Sequence, residues 1–134
     1  MDLGPGSRTR AVRLSAAVAA LVIAGAGLGL RAVAAGDLAE YGGDALYTLL
    51  IVALVVLVAP RVTAQRAGAL ALAFSWGVEF LQLSGVPAEL SRHSTAARLV
   101  LGSTFHAPDL FWYAVGALAG GLAVAARRAG RRRR

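Results

Sequence analysis

Residues 67–83 read Ala-Gly-Ala-Leu-Ala-Leu-Ala-Phe-Ser-Trp-Gly-Val-Glu-Phe-Leu-Gln-Leu, and Glu79 is the single ionisable side chain among them. Polar and apolar residues do not alternate, so the run does not read as a half-buried strand. A run this apolar points to a helix in lipid, where the backbone must satisfy its own hydrogen bonds. Three more runs repeat the pattern: Leu14 to Leu30 with a weaker tail through Ala35, Ala45 to Ala59 closed by Pro60, and Leu110 to Ala126. Each is slightly short of the roughly 20 residues that cross a bilayer core. Flanking residues extend each run, and arginine side chains can reach to the interface.

The predicted fold class is therefore all-α, a bundle of four transmembrane helices at about 14–35, 44–60, 66–84 and 109–127. Basic tails, 1–13 and 127–134, flank this membrane domain of residues 14–126. The connection from Ser84 to Pro108 is long, and loops of that length are often functional. Leu90, Ala97, Val100 and Leu101 recur there at near-helical spacing, interrupted by Arg92 and Arg98. This predicts a short interfacial helix between the third and fourth spans.

Composition agrees. Of 134 residues, 57% are hydrophobic and 16% charged, against about 25% charged in a soluble domain. The net charge is +7 and every basic residue is arginine. The chain has no cysteine, which excludes disulfides, thiolate metal sites and a cysteine nucleophile.

Arginine placement predicts orientation. Arg8, Arg10, Arg13, Arg61, Arg66, Arg127, Arg128 and Arg131 to Arg134 fall on one side of the bundle; Arg31, Arg92 and Arg98 fall on the other. Excess arginine marks the cytoplasmic side, so both termini are expected there. Asp37, Glu40, Asp44, Glu89 and Asp109 lie on the opposite, outer side. One alternative stays open. The basic start, the apolar run and Ala32-Val33-Ala34 also fit a cleaved signal peptide, although the run exceeds the usual length of such a core.

Gly25-x-x-x-Gly29 and Gly116-x-x-x-Gly120 are spacings that let membrane helices approach closely. They suit contacts within the monomer, and an oligomer is the other use. The arginine-rich C-terminal tail suits anionic lipid head groups. Nothing in the chain supports nucleic-acid readout.

Few polar residues need explaining. Asp44 and Asp109 each open a predicted helix, where an acidic side chain satisfies free N–H groups and suits the helix dipole. Glu79 lies inside a helix near its outer end, where the dipole disfavours a negative charge and insertion is costly. Ser75, Glu79 and Gln82 share one face. Arg31, Arg92 and Arg98 are the expected partners of Glu79. His93 and His106 read as ordinary surface histidines, and no metal site is expected. There is no nucleophile elbow and no Ser-His-Asp set.

These residues carry a resemblance. Leu28-Gly29-Leu30-Arg31, Tyr41-Gly42-Gly43-Asp44-Ala45-Leu46, Glu79-Phe80-x-Gln82-Leu83, then Arg92, Gly102, Phe105, Asp109-Leu110, Tyr113 and Gly116 resemble the bacterial domain-of-unknown-function 2809 family over roughly residues 27–121. Tyr47 stands where that family usually has Trp, and Ala107 where an aromatic is common. The Glu-x-x-Gln helix is also similar, more distantly, to VanZ-like proteins. The resemblance implies a small multi-pass protein of the bacterial inner membrane and cell envelope, with no assigned activity and no cofactor.

The reading places Arg31, Asp44, Glu79, Gln82, Arg92, Asp109 and Tyr113 in an outward-facing polar site for an anionic or lipid-linked envelope ligand, with membrane lipids as partners. Two alternatives remain: a structural or partner-binding subunit, and an enzyme on envelope precursors with Glu79 as general base. Transport is disfavoured, because no relay of charged groups crosses the apolar runs.

Overall fold

The computed structural model describes residues 4–134 and is helical almost throughout. Four long helices, α1 (Pro5–Val33), α2 (Gly36–Val58), α3 (Ala64–Leu81) and α6 (Ala107–Arg132), are joined by short turns and by two small helices, α4 (Val86–His93) and α5 (Thr95–Leu101). Four segments, Pro5–Val33, Gly36–Val58, Ala64–Ser84 and Ala107–Arg132, are long and apolar enough to cross a membrane. The chain is an all-α membrane protein.

Local chemistry sets the boundaries. Pro5 stands in the first turn of α1, where its missing N–H costs nothing. Helix α1 therefore begins well before Leu14, and Arg8, Arg10 and Arg13 lie on its first two and a half turns. Gly36, at φ +65°, reverses the chain between α1 and α2. Thr63 caps α3 by accepting the Arg66 N–H at 3.2 Å, and Ser94 caps α5 by accepting the Ala97 N–H at 3.1 Å. Gly85, at φ +82°, ends the turn of residues 82–84 that follows α3.

Two boundaries differ from the sequence expectation. Helix α2 starts at Gly36, not Asp44, because Asp37 to Tyr41 continue the helix and Asp37 supplies the first-turn acid. Asp44 is thus two turns inside α2, and capping does not account for it. The 84–108 connection holds two short helices rather than one, with Ser94 breaking the run to cap the second.

Helix α2 is the centre of the bundle, packing against α1, α3 and α6, while α3 also packs on α6. The shared core is small: Ala16, Val52, Val56, Ala67 and Ala71. Small side chains bring backbones together where dispersion, not the hydrophobic effect, drives helix association. Gly116 shows the limit, since a Cβ there would lie 2.2 Å from the Ala45 carbonyl oxygen. A Cβ on Gly120 would meet Val52 at 2.8 Å. That glycine pair serves the α2–α6 contact inside the monomer. Gly25 and Gly29 face open space. Deeper in the bundle, the hydroxyls of Thr48 and Ser75 bond to each other at 2.8 Å with no exposed surface.

Candidate functional site

The 82–106 segment closes the end of the bundle opposite the chain termini. Its α5 helix ends in three carbonyls that need donors, and three side chains from different elements supply them. Tyr47 Oη donates to the Val100 carbonyl at 2.7 Å, Gln82 Nε2 to Leu101 at 2.6 Å, and Ser91 Oγ to Gly102 at 2.7 Å. Gly102 takes φ +66°, and a Cβ there would sit 2.6 Å from Gln82 Nε2. Gln82 is a clasp for this segment.

Beneath the segment lies the carboxylate from the decisive run. Glu79 is completely buried. Its Oε1 accepts the backbone N–H of His106 at 2.7 Å, and its Oε2 accepts the Tyr113 hydroxyl at 2.9 Å. His106 is the N-cap residue of α6, with no side-chain cap of its own. Glu79 therefore caps α6 from a neighbouring helix, as a third-position Glu does within one helix.

His106 links the remaining acids. Its Nδ1 lies 2.9 Å from Asp109 Oδ1 and 2.9 Å from Glu40 Oε1. Only the Asp109 contact has hydrogen-bond geometry, and a neutral imidazole offers Nδ1 at most one proton. Asp109 is nearly buried. Asp44 lies against Asp109, within the field of Glu79 and Glu40, and its Oδ2 is buried without a partner. Tyr41 stacks on His106, centroids 6.3 Å apart, and on Trp112 at 5.5 Å. The hydrogen bond to Asp109 is the main cause that holds the His106 imidazolium above the ordinary histidine range, with Glu40 and Glu79 adding to it and desolvation opposing.

The structure brings Asp44, Glu79, Asp109 and Tyr113 together. It does not bring Arg31 or Arg92 to them. Arg31 is exposed, with no ion pair or hydrogen bond among the described residues. Arg92 pairs with Glu89 at 3.4 Å, and Arg98 donates to the Ser91 carbonyl at 3.4 Å. The expected Glu–Arg pair at Glu79 is replaced by two uncharged donors, since a backbone N–H and a phenol already fill both oxygens. Glu40, Tyr41 and His106 are the members that sequence reasoning missed. Glu40 and Tyr41 lie one turn before Asp44 on α2, and His106 three residues before Asp109, so helical spacing was the available signal.

The ligand-capable atoms of Glu40, His106 and Asp109 lie within 4.8 Å of one another. One imidazole and two carboxylates form a donor set that suits divalent transition metals. The alternative chemistry is capture of an ammonium group, for which carboxylates beside the Tyr41 and Trp112 rings are equally suited.

Fold and site together define a polytopic helical membrane protein with an acidic, aromatic-flanked cluster at one end of its bundle. The model of a family described as protein of unknown function (DUF2809) matches residues 33–117, and the chain belongs to that family. The match takes in the whole cluster and leaves most of α1 outside. No curated protein and no solved structure matches the chain.

Proposed function

We propose that this membrane protein binds a positively charged ligand, a divalent metal ion or a protonated amine, in the cluster of Glu40, Asp44, His106 and Asp109. The single supporting observation is charge: Glu40, Asp109 and the nearby Glu79 converge on one histidine and Asp44 lies against Asp109, with no arginine paired to them among the described residues. Adjacent carboxylates repel unless a proton or another cation lies between them, and His106 can contribute one positive charge. An anionic head group, the ligand anticipated from the sequence, would need Arg31 and Arg92 at this cluster. It would also need the α2 N-terminus at Asp44, and that helix starts two turns earlier.

Glu79 and Tyr113 then position the site by fixing the start of α6, and Gln82, Tyr47 and Ser91 hold the segment that leads into it at His106. Calorimetric titration of the purified full chain in detergent, with Mn2+, Zn2+ and ethanolamine as separate probes, tests the reading. Saturable binding of one probe near one per chain, lost in Asp109→Asn and Glu40→Gln, is the expected result. Wild-type protein that binds none of the three would overturn it.

A further inference from the structure

At the terminal end of the bundle, α1 and α6 both pack on α2 but stand apart, leaving a groove of about 220 Å³ with α2 as its floor. Ala19 and Ile23 form one wall, Ala123 the other, and Leu49 lies beneath. These walls are aliphatic and lie within candidate membrane spans. Toward the chain termini the groove meets Arg127, Arg128 and Arg131. Arg127 bonds to Ser15 Oγ across the gap, and Arg128 donates to the Pro60 carbonyl at 3.3 Å. Those two contacts tie α6 to α1 and to the α2–α3 turn, so the mouth of the groove is a braced feature.

Beyond the mouth is a second, more polar recess of about 430 Å³, lined by Arg8, Thr9, Arg61 and Arg131. Val12 and Arg131 line both spaces, so the two are contiguous. An aliphatic channel at bilayer depth that opens into a pocket of arginines is complementary to a molecule with a hydrocarbon chain and a phosphate. Such basic pockets between helices bind anionic lipid head groups, whereas a plain basic tail attracts them without a fixed stoichiometry.

We propose that the groove and the recess together hold one anionic phospholipid, an acyl chain between α1 and α6 and the phosphate at Arg61 and Arg131. The site is separate from the carboxylate cluster at the opposite end, and neither depends on the other.

Native mass spectrometry of the full chain, purified in detergent with an equimolar mixture of dioleoyl phosphatidylglycerol and dioleoyl phosphatidylcholine, reads the retained lipid directly. The expected result is one retained phosphatidylglycerol in preference to phosphatidylcholine. Arg61→Gln and Arg131→Gln should each lower that preference about fivefold, the factor for one arginine near a charged head group. Ala123→Phe and Ala19→Phe fill the groove from opposite walls and should abolish retention, while Leu122→Phe, on the exposed face of α6, should match wild type. Size-exclusion profiles identify any variant that has lost its fold, and the two wall variants substitute for one another. Equal retention of both lipids, or wild-type retention in a folded groove-filling variant, would reduce the effect to adsorption on a basic surface and overturn the proposal.

Discussion

Glu79 on α3 and Tyr113 on α6 are hydrogen-bonded at 2.9 Å inside the bundle, 34 positions apart in the chain. With the His106 N–H on the other oxygen, this arrangement provides for a carboxylate that the apolar third helix could not otherwise hold. Glu79→Ala removes both acceptors and leaves two donors facing a hole. The expected loss is roughly 2–4 kcal/mol of stability, from two buried groups stripped of partners. Glu79→Gln keeps one acceptor oxygen and should cost less. Thermal unfolding of the purified variants by circular dichroism ranks them, and an Ala variant as stable as wild type would contradict the assignment.

The Gly116 contact should be intolerant. With a Cβ only 2.2 Å from a backbone oxygen of α2, Gly116→Ala must push α2 and α6 apart, and overpacking of this kind costs about 1–3 kcal/mol or more. Gly25→Ala, facing open space, should change stability by less than about 0.5 kcal/mol. Comparable melting temperatures for the two variants would show that the close approach is not present in the membrane.

Thr48 and Ser75 offer a double-mutant test. Each single change, Thr48→Val or Ser75→Ala, strands one buried hydroxyl and should cost about 1–3 kcal/mol. The double variant leaves nothing unpaired and should be more stable than the sum of the two losses. Strict additivity would mean the two hydroxyls do not interact.

His106 makes the site pH-sensitive. Asp109 and Glu40 face its ring, Glu79 accepts its backbone N–H, and Tyr41 stacks on it. Because the folded state raises its pKa above 6.5, protonated His106 contributes stability fully below that value. The contribution is lost as pH rises through the higher folded value. Without added cation, the wild-type melting temperature should fall, relative to that of His106→Gln, as pH rises above about 6.5. Parallel pH curves for the two proteins would remove His106 from the cluster.

Much of this architecture was legible in one dimension. Long apolar runs need no partner to be recognised, so the four spans and the burial of Glu79 followed from hydropathy and one misplaced charge. The start of α2 was not, because Asp44 looked like the acid that opens the helix and the first-turn acid is Asp37. Nor was the hub at His106. Its ring meets a glutamate from α2 and its backbone meets a glutamate from α3, at separations that no local spacing encodes. The arginines misled for a related reason. Opposite charge on the same side of a membrane suggests pairing, but Glu79 is enclosed at a depth where a phenol and an N–H are nearer.

The enclosure of Glu79 also bears on biogenesis. A chain made from its N-terminus delivers α3 to the bilayer before His106 and Tyr113 exist. For that interval the third span carries a naked acid, so its settled insertion waits on α6. A chain truncated before residue 106 should therefore leave its third segment poorly integrated, with α1 and α2 already in place.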